Sequence, residues 1–432
     1  MQVIKYPDKK DWKAILSRPL IDNDDLEDVV NQIFKEIKVG GDQALKKYTW
    51  QFDKIKIDKL DITQKEIDKA EELLSSELKD ALLVAANNIK KFHAAQFQKT
   101  EVIETTKGVE CWRKATPIER VGLYVPGGSA PLFSTVLMLG IPAKLAACKE
   151  IVLCTPPGKD GKVDPAILYA SKLVGVDKVF CVGGIQAIGA MAFGTESIPN
   201  VYKIFGPGNQ FVTAAKQRVS KLGVAIDMPA GPSEVLVLAD ESANPEFIAS
   251  DLLSQAEHGA DSQVIFVTWE ESLVKEVQLA VDRQLNKLSR KEIAEQALQN
   301  SKIILVSSLD EALDLSNEYG PEHLIISVKD EGKCVDNILN AGSVFLGNYT
   351  PESAGDYASG TNHTLPTNGF AKSFSGVCLE SFMKSISFQK ISEKGLLELG
   401  PVIEVMAKAE QLDAHCNAVS VRLKTLREEV KG

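Results

Sequence analysis

The sequence predicts an α/β protein with two domains on mainly parallel sheets, flanked by helical N- and C-terminal segments. Three observations carry this. From about residue 117, short β-branched runs alternate with helical stretches at intervals of about 25–30 residues. This βαβα rhythm belongs to parallel sheets covered on both faces. Several of the runs end in Gly/Pro-rich tips: Pro126-Gly127-Gly128, Gly183-Gly184 and Gly206-Pro207-Gly208-Asn209. The two ends of the chain lack the strand rhythm and read as helical.

Taken in order, the first hundred residues are helical and polar. Leu82, Ala86, Ile89 and His93 recur at helical spacing within Lys79–Gln98 and form one apolar stripe. His93 on that stripe reads as a packed or capping histidine. The runs RVGLYVP, EIVLCTP, KVFCVGG and VYKIFGPG follow, with helical segments such as Pro165–Val174 and Ile185–Phe193 between them. A second series, EVLVLAD, QVIFVTW, KIILV, HLIISV and SVFLG, repeats the rhythm and supplies strands for a second domain. From about Glu380 the chain reads as a helical tail. No internal repeat, low-complexity tract or long linker interrupts it.

Open α/β sheets bind ligands outside the carboxyl ends of their strands. The three tips are therefore where a cofactor should lie, since glycine lets backbone approach a ligand closely. Neither GxGxxG nor GxxxxGK[ST] occurs, so motif physics alone does not name the cofactor.

The net charge of −10 argues against nucleic acid as a partner, because phosphate binding needs concentrated positive surface. The N-terminal residues lack an apolar core of signal-peptide length. The longest apolar candidate, Ala130 to Cys148, contains Pro131, Ser134, Thr135, Pro142 and Lys144, and reads as a buried helical region rather than a membrane span. A cytoplasmic location is expected. The seven dispersed cysteines, with no CxxC pair, read as reduced thiols that are mostly core residues.

Five histidines occur, and each can be weighed. Gln255 and His258 fall in the run ASDLLSQAEHG (249–259), read as a helix that Gly259 ends as C-cap. Their spacing of three puts an amide oxygen and an imidazole nitrogen on one face, which suits a borderline metal such as Zn²⁺. A histidine that merely stabilises the helix end is the competing reading. Glu322 and His323 follow a helix closing at Tyr319-Gly320-Pro321, and would place a carboxylate and an imidazole together for proton transfer. A surface loop pair is the alternative there. Asp356 and His363 sit in a long polar segment, 350–366, of the kind that usually carries function in a compact domain. His415 lies far away in the tail, and matters only if the tail reaches a site built elsewhere.

Together these segments resemble the histidinol dehydrogenase family. The resemblance extends from GLYVPGG (122–128) to AHCNAVSVRL (414–423). Its most specific strings are DMPAGPSEVLVLAD (227–240), DLLSQAEHG (251–259), YGPEHL (319–324) and SAGDYASGTNHTLPT (353–367). It implies incomplete Rossmann-like sheets and five segments: an N-terminal tail (1–20), the first part of a substrate and metal domain (21–122), an NAD-binding domain (123–234), the second part of the substrate and metal domain (235–379) and a C-terminal helical tail (380–432).

The resemblance further implies one Zn²⁺ per subunit on Gln255, His258, Asp356 and His415, with NAD as the second cofactor. Glu322 matches the base that activates water, and His323 the neighbouring acid–base residue. Ser233, His363 and Glu410 match substrate-pocket positions, beside Gln255, His258, His323, Asp356 and His415. Tyr124, Gln186 and Asn209 match positions that contact NAD. The expected reaction is oxidation of L-histidinol through L-histidinal to L-histidine in a homodimer, whose exchanged tails bring His415 and Glu410 to the partner's site. Nucleic acid and membrane are not expected partners. The rival readings are a zinc hydrolase of a small amide or ester, which would turn over without NAD, and a paralogous amino-alcohol dehydrogenase.

Overall fold

The computed structural model of the chain describes residues 1–19, 24–127, 131–229 and 231–429; Gly128 of the first tip and Ala130 of the apolar run lie outside them. Two compact units emerge, one of residues 1–96 and 118–382, the other of residues 97–117 and 383–432.

The strands are β1 (Gln2–Lys5), β2 (Val102–Thr106), β3 (Val109–Pro117), β4 (Arg120–Tyr124), β5 (Glu150–Thr155), β6 (Lys178–Cys181), β7 (Lys203–Phe205), β8 (Ala225–Ile226), β9 (Glu234–Ala239), β10 (Gln263–Thr268), β11 (Lys302–Leu305), β12 (His323–Ser327), β13 (Ser343–Leu346) and β14 (Met383–Ile391). All nine apolar runs of the sequence form strands, and the central ones, such as β9 and β10, are buried on both faces. The first unit holds two fully parallel sheets, a five-stranded one in the order β6-β5-β4-β7-β8 and a six-stranded one in the order β1-β11-β10-β9-β12-β13.

In each sheet the strand order reverses at an interior position. The switch falls between β4 and β7 in one and between β9 and β12 in the other. Alternation along β9 sends Val235 and Val237 into one apolar core and Leu236 and Leu238 into the opposite one, so the six-stranded sheet is covered on both faces.

The termini differ from the sequence reading. β1 is an edge strand paired in parallel with β11, within a stretch read as helical. Four residues are too few for a period-2 signal to stand out. The tail after Glu380 is helical only from Glu393 onward, in helices Glu393–Ala409 and Asp413–Glu429. Before them β14 forms an antiparallel three-stranded sheet with β3 and β2 in the second unit. The alternation in MKSISFQKI was present, but its small and polar residues masked it.

Helices of the N-terminal hundred residues pack against helices of the five-stranded layer. Val30, Ile33, Phe34 and Ile37 share a core with Ile185, Ile188 and Met191. Packing therefore sets this stretch beside the five-stranded sheet. Helix Ser76–Ala94 buries Leu82, Ala85, Ile89 and His93; Ala86 is at the edge of the stripe. His93 is a packed histidine whose Nδ1 lies 2.8 Å from the Ile89 carbonyl oxygen. Among the described residues no helix is long and apolar enough to cross a membrane. All seven cysteines are free thiols, and five are buried.

Candidate functional site

A cleft of about 920 Å³ in the first unit is lined by the tips that follow β4, β6 and β7, together with residues from the edge of the six-stranded sheet. The two sheets contribute opposite ends. The five-stranded sheet offers the carboxyl ends of its strands, as open α/β sheets do. The six-stranded sheet offers its amino ends: Ser233 precedes β9, Glu322 precedes β12 and His323 opens it. A helix that follows a parallel strand runs back toward that same edge. This is how helix Pro245–Ala256, which follows β9, delivers Gln255 and His258 there.

Ten of the twelve residues singled out in the sequence line this cleft: Tyr124, Gln186, Asn209, Ser233, Gln255, His258, Glu322, His323, Asp356 and His363. The other two, Glu410 and His415, belong to the second unit and are exposed on it. Glu410 caps the C-terminus of helix Glu393–Ala409, and His415 sits in the first turn of Asp413–Glu429.

Two local expectations need correction. Helix Pro245–Ala256 is capped by Glu257, not Gly259. His258 therefore stands just past the helix end, where its backbone N–H still donates to the Gln255 carbonyl at 3.3 Å. Asp356 is not in an unstructured loop, for Glu352–Tyr357 forms a short helix.

Glu322 and His323 are held from β9. The Glu322 carboxylate, at Oε2, accepts from the Glu234 backbone N–H at 2.9 Å and from the Gln255 amide at 3.3 Å. His323 Nδ1 lies 3.1 Å from the Glu234 carbonyl oxygen and donates to it. That fixes the imidazole with Nε2 facing Asp356 Oδ1 at 3.5 Å. Burial disfavours an imidazolium here, but Glu352, Glu322 and Asp356 outweigh it and place the His323 pKa well above the ordinary histidine value. Burial likewise opposes charge on Asp356, yet His323, His363 and His258 hold its carboxyl below the usual range.

His363 is pinned at both nitrogens. Nδ1 lies 2.9 Å from the Asp356 carbonyl oxygen and Nε2 lies 3.1 Å from the Thr135 hydroxyl. With Nδ1 donating, Nε2 accepts from Thr135, which suits a neutral ring; burial lowers its pKa in the same sense.

The donor set fits a divalent ion. With its amide nitrogen committed to Glu322, Gln255 presents Oε1, a buried oxygen with no hydrogen-bond partner among the described residues. Donor atoms of His258, Asp356 and Glu352 lie within 4.8 Å of one another. Glu352 was not singled out in the sequence. Its carboxylate is buried, Oε2 has no partner among the described residues, and burial followed by the carboxylates of Asp356 and Glu322 pushes its pKa up to about 8, against a partial offset from His323. Spacing of four from Asp356 was the available signal, since i and i+4 share one helix face. It was passed over because the segment read as a loop.

At the other end of the cleft the tips are braced. The Tyr124 hydroxyl accepts from the Gly184 N–H at 3.1 Å. Asn209 Oδ1 caps helix Gln210–Lys221 by accepting from the Val212 N–H at 3.1 Å. Gly206 has φ +125°, and a Cβ there would collide with the Tyr124 carbonyl oxygen. A buried pair, Lys216 and Asp227 at 2.5 Å, grips this glycine, with Lys216 donating to its carbonyl and Asp227 accepting from its N–H, each at 2.7 Å.

The sequence profile described as "Histidinol dehydrogenase" matches residues 16–423. A histidinol dehydrogenase of Bacteroides fragilis is 60% identical over 427 residues, covering 99% of this chain and 100% of that protein. One from Campylobacter jejuni is 51% identical over 432 residues, covering 99% and 100%. The crystal structure of histidinol dehydrogenase from Elizabethkingia anophelis superposes with a TM-score of 0.97 at 56% identity, covering 99% of each chain. With this likeness running the full length of the fold, the chain belongs to the histidinol dehydrogenase family, oxidoreductases of histidine biosynthesis that act on a CH–OH group.

Proposed function

We propose that the chain oxidises L-histidinol to L-histidine through L-histidinal, with NAD as electron acceptor and one zinc ion per subunit. The observation that carries this is the convergence in one cleft of a nitrogen- and oxygen-donor cluster, the adjacent Glu322–His323 pair and the tips that follow β4, β6 and β7. Gln255, His258 and Asp356 would hold zinc, with His415 as the ligand from the tail. Zinc bound there supplies a cationic template for the substrate's amino and imidazole nitrogens. NAD bound along Tyr124, Gln186 and Asn209 supplies the hydride acceptor. Ser233, His363 and Glu410 are assigned to the substrate pocket.

The protein's own groups divide the work as follows. His323 takes the hydroxyl proton at Nε2 as hydride leaves the carbinol carbon, giving the aldehyde. Its Nδ1 bond to the Glu234 carbonyl keeps that nitrogen aimed at the reacting oxygen. A cation held by Asp356 would weaken the field that favours the His323 imidazolium and leave Nε2 able to accept. Glu322 then takes a proton from water as the water oxygen adds to the aldehyde carbon, while the His323 imidazolium returns its proton to the carbonyl oxygen. The resulting gem-diol gives its hydride to a second NAD and a hydroxyl proton to His323 Nε2, leaving the carboxylic acid. Each proton transfer of this kind contributes on the order of 10²–10⁴ in rate.

Glu410 and His415 are exposed within their own unit, and this supports a role offered to a second subunit. The reading assigns the active form to a homodimer with exchanged tails.

The test is NADH formation from purified protein, L-histidinol and NAD, counted per histidinol consumed. Two NADH per substrate, lost on chelation and restored by zinc, is the expected result. Turnover of amides or esters without NAD, and none of histidinol, would replace this reading with the hydrolase. NADH from other amino alcohols alone would replace it with a paralogous dehydrogenase.

A further inference from the structure

We propose that Glu352 is a metal ligand of this chain, completing with His258 and Asp356 a cation site that lies wholly within the first unit. The inference rests on the zinc reading above and extends it to a residue outside the four expected ligands.

Geometry is the first argument. Zinc bonds to nitrogen and oxygen are ~2.0–2.2 Å, so tetrahedrally placed donors lie roughly 3.3–3.6 Å apart. The donor atoms of His258, Glu352 and Asp356 lie within 4.8 Å of one another, and side-chain rotations that move them by up to about an ångström close them on one ion. Glu352 and Asp356 share a face of the helix Glu352–Tyr357, which aims both carboxylates the same way.

The second argument is the state of Glu352 itself. Its side chain is 1% exposed, and Oε2 has no hydrogen-bond partner among the described residues. Buried carboxylates are ordinarily paired, hydrogen-bonded or bound to metal. His323 acts on Glu352 through charge alone: its Nδ1 is engaged by Glu234, its Nε2 lies 3.5 Å from Asp356, and no hydrogen bond joins it to Glu352. Asp356 and Glu322 are themselves acidic, so the group that suits Glu352 is a cation.

The consequence concerns how the metal is held. His258, Asp356 and Glu352 make three donors with two negative charges, enough to neutralise a dication without any residue of the tail. Glu352 therefore retains the ion when His415 is not in place.

The experiment uses the full-length protein, stripped of metal and titrated with Co²⁺. The d–d absorption reports the ligand set, and zinc affinity is read by competition with a chromophoric chelator. His415→Ala should still bind one ion per chain. In that background Glu352→Gln should lower zinc affinity by at least about 100-fold and alter the Co²⁺ spectrum, beyond the loss usual for outer groups. Glu352→Asp, which keeps the charge on a shorter arm, should recover part of the affinity. Thermal unfolding of each metal-free variant checks folding. If the Gln variant does not fold, an Asp variant with wild-type affinity and spectrum overturns the proposal. Unchanged affinity and spectrum in Glu352→Gln/His415→Ala overturn it, as does complete loss of binding in His415→Ala alone, which would leave the zinc reading standing. A wild-type chain that binds neither ion would remove both.

Discussion

Glu322 takes its position from Glu234, whose backbone N–H donates to Glu322 Oε2 at 2.9 Å. The Glu234 carbonyl accepts from His323 Nδ1, so one residue of β9 orients both neighbours at the start of β12. The Glu234 side chain is anchored in turn. Arg18 Nη2 donates to Oε2 at 2.9 Å, Arg18 Nε donates to Oε1, and the Asn368 N–H donates to Oε1 at 2.9 Å. Arg18 also stacks on the Tyr319 ring at 4.0 Å.

Arg18→Met would leave a carboxylate that is 2% exposed without its cation. Breaking a buried pair from one side costs about 3–5 kcal/mol, mostly from the stranded charge. Urea denaturation of Arg18→Met should show a loss of that size, and adding Glu234→Gln should return more than half of it. A loss below about 1 kcal/mol would mean that the pair anchors nothing.

If Glu322 activates water only in the second oxidation, Glu322→Gln separates the two steps. The variant should still oxidise histidinol to the aldehyde, while aldehyde oxidation falls on the order of 10²–10⁴-fold. Gln retains an oxygen to accept from the Glu234 N–H, so the local geometry survives the change. Rapid-mixing assays with histidinol and histidinal as separate substrates make the comparison. Equal loss of both steps would reassign Glu322 to substrate binding.

The strands of both parallel sheets were legible because runs such as EVLVLAD and QVIFVTW are buried on both faces and carry nothing but apolar residues at their centres. The tips were legible for a similar reason, since glycine and proline punctuate a chain wherever they occur. β1, β2, β3, β8 and β14 escaped notice, β1 and β8 being too short and the other three too polar for their alternation to stand out. Within the site, Gln255, His258, Glu322 and His323 could be proposed from local spacing. Tyr124, Gln186 and Asn209 came only through family likeness, because no dinucleotide fingerprint is present. Arg18 was missed because it acts across a long sequence separation, Glu352 because the local structure of its segment was misread, and Lys216 because no motif marks its pairing with Gly206 and Asp227. Arg18 meets a partner 216 residues away, and no period or motif encodes such a meeting.

Asp251 makes stability depend on pH. Burial alone pushes its carboxyl up to about 7 from 3.8. Between those values the unfolded chain releases a proton that the folded chain keeps, so this group's contribution to stability falls as pH rises from about 4 to about 7, then levels off. Asp251→Asn removes the ionisation. Relative to the parent it should gain about 2–4 kcal/mol between pH 4 and pH 8, the value of roughly three pKa units discounted for relaxation. Thermal melts of both proteins at the two pH values measure this difference, which cancels any packing cost common to both. A pH-independent offset would exclude Asp251 as the source.

The Lys216–Asp227 pair gives the tip after β7 its shape. Gly206 is gripped at its carbonyl by Lys216 and at its N–H by Asp227, and its positive φ lets the chain pass close to Tyr124. Lys216→Met frees the carbonyl and strands Asp227, which is 1% exposed. The tip then loses its fixed conformation while the donor cluster around Asp356 keeps its own contacts. The KM for NAD should rise at least about tenfold, equivalent to ~1.4 kcal/mol of binding, with the KM for histidinol changed far less. Steady-state kinetics varying each substrate in turn separate the two effects. A parallel rise in both constants would indicate general loosening of the fold, and an unchanged KM for NAD would show that the tip holds its shape without the pair.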